Sequence, residues 1–368
     1  MRKPLIALIA TLVVVATLTP AAAAHDATPS AGDVECEYPL ELTDGTGETV
    51  ALEEPPERVV ALMPSDARTA FEIGAEDVVV GMPITDATAD LAVGDRTDVT
   101  EDDGFTTDVE TVVGLEPDVV VAGSAASEDE IDQLRDLGLT VYHFDEAESL
   151  EDVVENVAIT GQLTGDCAGA TETAEWMDDR FDLLESAVED EDHPLAYYPM
   201  GGGFTAGTET FQHEVMTTAG LENVASHAGI EGWEPISEEV VVEEDPEWIV
   251  YGDGFDEPQV SEAVHETTAS QEENVVAVDD NDFSQPGPNV VFAVEEILEA
   301  VHPDAYDEIS DDLAALDADY ESDESDESDE AGDADDADDT TDDPVPGFAV
   351  PAAVAALLAV VAVLARRR

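Results

Sequence analysis

Lysine is nearly missing from this chain: Lys3 is the one lysine in 368 residues, and Lys and Arg together number 10 against 92 Asp and Glu, a formal charge of −82. A surface that grips phosphates needs a surplus of cations, so nucleic acid is excluded as a partner. The same imbalance makes the compact state self-repelling in dilute salt, because screening acts over about 8 Å at physiological ionic strength and about 3 Å at 1 M. The composition therefore points to a protein that works in molar salt, as in a halophilic archaeon. An acidic disordered chain is the competing reading, and 43 % hydrophobic residues in regular apolar runs oppose it.

Catalytic signatures are missing as well. The seven His are scattered, and there is no H-E-x-x-H, no G-x-S-x-G and no Walker A motif. The Gly201-Gly202-Gly203 loop precedes no G-K-S/T, so it is a poor phosphate cradle. No catalytic residue is assigned and an enzyme is not expected. No metal-ligand cluster has recognisable spacing; Tyr197, Tyr198 and nearby carboxylates are all that a directly bound ion would find. Cysteine is scarce, with Cys36 and Cys167 alone. In an exported chain they are candidates for a disulfide, with two free buried thiols as the alternative.

What is present divides into segments. Residues 1–24 have Arg2 and Lys3 ahead of an apolar run that ends in small residues, the pattern of a signal peptide, and no Cys follows for N-terminal lipid attachment. Residues 25–57 are a lead-in, with short strands expected over 38–43 and 48–52 around Asp44-Gly45. Over 58–150 strands and helices alternate: strands at 59–63, 78–81, 119–122 and 140–144, helices at 67–73, 108–115 and 128–137. Linker helices fill 151–192. A second series over 193–316 has strands at 195–199, 248–251 and 275–278, helices at 210–219, 237–244 and 259–268, and a last helix at 290–301. Alternation of this kind implies an α/β fold with mainly parallel sheets.

The two series share landmarks. Glu110 stands seven residues before Pro117 and Glu239 seven before Pro246, both at an offset of 129, and each Pro leads through an acid into an apolar strand. Between the copies, residues 165–191 place Ala170, Ala174, Met177, Phe181, Leu184 and Val188 on one helical face, with no Pro to interrupt them. At 1.5 Å per residue the segment spans about 40 Å. Two Rossmann-like lobes joined by a single long rigid helix is the arrangement expected. Residues 317–345 are almost wholly Asp, Glu, Ser, Ala and Thr and read as an acidic disordered tether. Residues 346–368 hold Pro346, Gly347 and Phe348, an apolar run and three terminal Arg, consistent with a membrane anchor under the positive-inside rule.

Six stretches, RVVALMPSDARTAFEIGAEDVVVGMP, DVETVVGLEPDVVVAG, LRDLGLTVYHFDEAESLEDVVENVAITGQLTG, FTAGTETFQHEVMTTAGLENVA, WEPISEEVVVEEDPEWIVYG and SQPGPNVVFAVEEILEAVHPDAY, together resemble the helical-backbone solute-binding proteins that serve ABC importers for cobalamin, ferric siderophores and haem. The match covers about residues 58–308. It implies a ligand cleft between the lobes and delivery to permease and ATPase subunits by a monomeric receptor with no cofactor of its own. The bound cargo implied is a corrinoid or an iron chelate. The C-terminus resembles the PGF-CTERM sorting signal of haloarchaeal surface proteins, which implies processing by an archaeosortase and attachment at the cell surface.

Carried onto this sequence, the resemblance implies cleft residues Met63, Pro64, Ser65 and Asp66 after the first strand, Phe105 ahead of the Glu110 helix, and Gly123 and Ser124 after the next strand. In the second lobe it implies Met200, Gly201, Gly202, Gly203, Phe204, Trp233, Tyr251, Gly252 and Asp253. Phe105 and Trp233 are expected to flank a flat ligand from opposite lobes, with core packing the alternative for each ring. Glu110 and Glu239 match the carboxylates that dock such receptors on basic residues of the permease; two ordinary solvated acids is the alternative. Ser284-Gln285-Pro286-Gly287-Pro288-Asn289 stands where many relatives carry Arg at the second and last positions, which disfavours an anionic chelate and favours a corrinoid or neutral one. Haem, a directly bound metal ion and a non-transport adhesive role are the alternatives.

Overall fold

The computed structural model describes residues 34–330. The signal segment at 1–24, the first part of the lead-in, the end of the tether and the segment holding Pro346, Gly347 and Phe348 lie outside the described residues.

The chain opens with an antiparallel hairpin of β1 (Leu40–Thr43) and β2 (Thr49–Leu52). Asp44 closes its turn by accepting the N–H groups of Thr46 and Glu48 and pairing with Arg135. The first lobe then builds one sheet from β3 (Val59–Ala61), β4 (Val79–Met82), β5 (Thr97–Asp98), β6 (Val119–Ala122) and β7 (Val141–His143). All pairings are parallel, in the order β5-β4-β3-β6-β7. Every residue of β3, β6 and β7 is buried, as a parallel sheet covered by helices on both faces requires.

The second lobe contains β8 (Leu195–Tyr197), β9 (Phe204–Ala206), β10 (Glu222–Asn223), β11 (Trp233–Pro235), β12 (Trp248–Gly252) and β13 (Val275–Val278). Its main sheet is again parallel, in the order β10-β8-β12-β13, and repeats the β4-β3-β6-β7 pattern of the first lobe. The offset of 129 seen in the sequence reappears in the elements. The Val109–Gly114 and Glu238–Glu244 helices start that far apart, as do β6 and β12.

Between the lobes runs the unbroken helix Cys167–Val188, 22 residues long. The face drawn from the sequence is the buried one: Ala170, Ala174, Met177, Phe181, Leu184 and Val188 all belong to one core, which also takes in Ile73 of the first lobe and Met216 and Ile297 of the second. Burial of each of its larger side chains stabilises by about 1.5–3 kcal/mol relative to exposure. Gly169 fits the helix against the first lobe, since a Cβ there would sit 2.0 Å from the Ile73 carbonyl oxygen. A disulfide joins Cys36 to Cys167 and ties the start of this helix to the lead-in.

Three expectations change. Residues 259–263, expected within a helix over 259–268, form a loop instead; only the short turn Val264–Glu266 and the helix Thr268–Glu272 are helical. Val260 and Val264 there fold against the second-lobe core, so tertiary packing overrides local propensity. The Val290–Val301 helix is not the last, because Pro303–Glu330 follows it. The tether therefore does not begin at 317: Asp317 bonds to Arg180 and to the Trp176 indole, and Tyr320 stacks on the Trp176 ring.

Candidate functional site

In both lobes the strand order reverses between the first strand and the one after the Pro landmark, β3 and β6 in one, β8 and β12 in the other. Open α/β sheets bind ligands outside the carboxyl ends of strands at such a reversal. The expected residues Met63–Asp66 and Gly123-Ser124 directly follow β3 and β6, Met200–Phe204 follow β8, and Tyr251–Asp253 end β12.

The first-lobe floor is tightly made. Met63 caps the Pro64–Glu72 helix, and the Asp66 side chain accepts the Met63 N–H at 3.0 Å and the Gly123 N–H at 2.8 Å. Asp66 and Ser65 are buried and Ser124 is exposed. Burial pushes the Asp66 carboxyl up to about 6 against the opposing effect of its backbone donors. From the second lobe, Pro286 shares a cavity of about 20 Å³ with Ser65, Asp66, Thr69, Gly123 and Asp145. Gly287 lies beside Thr69, close enough that a Cβ there would meet its hydroxyl at 3.4 Å. The Ser284–Asn289 loop thus reaches across to the first lobe. At its base, burial and then Asp279 raise the Asp282 carboxyl to about 7, partly opposed by Arg68 of the first lobe.

The second-lobe wall is a Gly loop. Gly201, Gly202 and Gly203 all have left-handed φ, of 83°, 60° and 83°, a path that side chains with a Cβ rarely follow. Met200 N–H bonds to the Phe204 carbonyl at 3.0 Å, and Ile236 N–H to the Gly203 carbonyl at 2.9 Å. Trp233 lies in β11, paired with Ala206 of β9. It is half-buried with Met200 against the lobe core, and its indole N–H is buried without a partner. Tyr251 is half-buried and Gly252 buried; Asp253 is exposed and accepts the Asp280 N–H at 3.1 Å. The Gly loop also borders a groove of about 740 Å³ floored by Tyr197, Ile236 and Ile249.

Phe105 and Trp233 have unlike settings: Phe105 is 86 % exposed, on a loop that Asp103 holds by accepting its N–H, whereas Trp233 packs into its own lobe. Exposed apolar side chains occur in both lobes, Ile84 and Phe105 in one, Phe204 and Phe255 in the other. Ile84 and Phe255 were not found from sequence. Each follows a strand end by two or three residues, a signal visible only once the strands are placed. Glu110 and Glu239 occupy the second position of corresponding helices, both exposed, and the helices are capped alike by Asp108 and Ser237.

Among the described residues, no Lys or Arg is left without a partner of its own at these strand ends. The described residues hold five arginines and no lysine, and each guanidinium has partners of its own: Arg58 with the Leu115 carbonyl, Arg68 with Asp90, Arg96 with the Glu76 carbonyl, Arg135 with Asp44, and Arg180 with Glu295 and Asp317.

A sequence profile described as periplasmic binding protein matches residues 59–281. The chain belongs to the periplasmic binding protein family. A cobalamin-binding protein of Halobacterium salinarum is 38 % identical over 311 residues, 80 % of this chain and 84 % of that protein. The uncharacterized ABC transporter substrate-binding lipoprotein YvrC of Bacillus subtilis is 29 % identical over 282 residues, 74 % of this chain and 88 % of that one. Among solved structures, the periplasmic vitamin B12 binding protein BtuF of Vibrio cholerae superposes with a TM-score of 0.57 at 19 % identity, over 67 % of this chain and 96 % of that one. The heme binding protein HmuT gives 0.60 at 21 % identity, over 72 % and 91 %. At these identities the structures establish the shared fold, two α/β lobes with parallel sheets. Members of this family are binding proteins of transporters and not enzymes.

Proposed function

We propose that this periplasmic binding protein captures a corrinoid in the cleft between its lobes and delivers it to the permease of an ABC importer. The observation that carries the reading is the charge of the site: every arginine among the described residues is engaged elsewhere, so a carboxylate-bearing chelate meets acids and no counter-charge. A corrinoid is large and flat with a neutral amide rim, which suits aromatic edges, Gly-loop carbonyls and backbone N–H groups. Likeness to the cobalamin-binding protein of a halophile supports both the ligand and the working salt. In this reading Phe105 and Trp233 border the ligand, Glu110 and Glu239 meet basic residues of the permease, and the C-terminal segment anchors the receptor at the cell surface after archaeosortase processing.

The test is a visible absorption spectrum of protein purified from its native host, followed by thermal shifts in molar salt with cyanocobalamin, cobinamide, haem and a neutral ferric hydroxamate. A ligand at one hundred times its Kd stabilises the folded state by about 2.7 kcal/mol. Corrinoids are expected to shift the melting point. A shift with haem or the hydroxamate and none with either corrinoid overturns the ligand assignment.

A further inference from the structure

The Cys167–Val188 helix does not bridge the lobes alone. The Pro303–Glu330 helix leaves the second lobe and runs back beside it in the opposite direction. Tyr306 donates to Glu295 at 2.8 Å, Ile309 and Leu313 enter the core that holds Leu184 and Met177, and Asp317 bonds to Arg180 and the Trp176 indole. The Tyr320 ring then stacks on Trp176, with centroids 5.1 Å apart and planes at 21°. Its hydroxyl lies 2.9 Å from that of Thr173 and donates to the Glu72 carbonyl at 3.0 Å. Residues 306, 309, 313, 317 and 320 share one helical face; Asp317 meets Arg180 and Trp176 of the bridging helix, and Tyr320 meets Trp176 and Thr173, nearer that helix's start.

The far end of this contact lies in the other lobe. Glu72 is the last residue of the helix whose first residues, Pro64 to Asp66, line the cleft. Arg180 joins the parts in the middle: its side chain is 2 % exposed, its guanidinium lies 4.9 Å from the Phe292 ring centroid and 5.4 Å from that of Trp176, and it pairs with Glu295 of the second lobe and Asp317 of the returning helix. Arg180 is buried and Glu295 largely covered, so their pair is screened less in molar salt than an exposed one, whereas Asp317 is 43 % exposed and is held by the Trp176 indole as well.

We infer that the Pro303–Glu330 helix is a clasp that turns the hinge into a two-helix rod, with Asp317 and Tyr320 as positioning residues that fix the first lobe against the second. A single helix resists bending but permits the lobes to rotate about it. A second, antiparallel helix fastened along Tyr306 to Tyr320 removes that freedom, and the Pro64–Glu72 helix carries the constraint to the cleft. The clasp itself needs no ligand; its effect on binding rests on the cleft being the ligand site.

The native thiols are tied in a disulfide, so cysteines introduced at exposed Glu128 and Glu262 take spin labels selectively. Pulsed electron resonance on the full chain in molar salt should give a single narrow distance distribution. Asp317→Ala and Tyr320→Ala should broaden it, and Tyr320→Phe, which keeps the ring and loses the hydroxyl bonds, should broaden it less. Cyanocobalamin should bind the alanine variants several-fold more weakly, because preorganisation is lost. Unchanged distributions in both alanine variants overturn the clasp, and so does weaker binding with unchanged distances. Broadening in a protein that binds no corrinoid keeps the clasp and removes the ligand assignment. Should Tyr320→Ala fail to fold, Asp317→Asn and Tyr320→Phe serve as the pair, and no broadening in either overturns it.

Discussion

Glu116 and Asp245, 129 positions apart, hold the same left-handed backbone, with φ of 49° and 51°, each immediately before a proline. Two non-glycine residues in that region at equivalent points of two lobes mark a duplicated turn between helix and strand. The turns differ in what the side chain does. Asp245 accepts the Thr268 N–H at 2.7 Å and its hydroxyl at 3.0 Å, whereas the Glu116 side chain is exposed. Glu116→Gly is therefore expected to raise stability by roughly 0.5–1 kcal/mol, and Asp245→Gly to lower it, because the lost bonds outweigh the relieved strain. Denaturant midpoints in molar salt check both signs.

The disulfide closes a loop of 131 residues between the lead-in and the bridging helix. Constraint on the unfolded chain grows with loop length, and removal of such a link costs roughly 2–5 kcal/mol. Cys36→Ser with Cys167→Ser should lower the melting point markedly, and reductant should reproduce the loss in the parent. A melting point insensitive to both would show that the link contributes nothing to folding.

Asp66 supplies a pH test. Its folded pKa, about 6, lies above the unfolded value near 3.9. Its protonation therefore favours the folded state, a contribution fully present below about pH 4 and lost as pH rises through about 6. Asp66→Asn can keep both backbone bonds without the buried charge, so at pH 7.5 it should be more stable than the parent by roughly 2–3 kcal/mol. The gap should close towards pH 4. A difference independent of pH would show that the carboxyl does not titrate in this window.

Much of this architecture was legible because it follows from local rules. Apolar runs such as Val119–Ala122 and the helical period from Ala170 to Val188 each specify their element without help from afar. The clasp was hidden because Asp317 to Tyr320 carry the same acidic composition as the tether beyond them. What holds them is Trp176 and Arg180, about 140 residues earlier in the chain. Strand β11 was hidden too, since Trp233–Pro235 is too short to show a period and exists only through pairing with Phe204–Ala206. Residues that directly follow an apolar run could be placed at strand ends from the sequence, whereas the exposed positions of Ile84 and Phe255 show only once the strands are located.

Trp233 offers the sharpest separation of stability from binding. Its ring packs against the second-lobe core, yet its indole N–H is buried with no acceptor. An unpaired buried donor costs about 1–3 kcal/mol, a cost that a ligand accepting from it would recover. Trp233→Phe keeps most of the apolar contact and removes the donor. The ligand-free variant should therefore be as stable as the parent or more so, while cyanocobalamin affinity falls about fivefold, the worth of one hydrogen bond of ~1 kcal/mol. Phe105→Ala, at a side chain 86 % exposed, should leave stability within about 0.5 kcal/mol and weaken binding alone. Calorimetric titration beside thermal melts reads both quantities on the same samples. If Trp233→Phe lowers stability and leaves affinity unchanged, the indole belongs to the core of its lobe and not to the ligand.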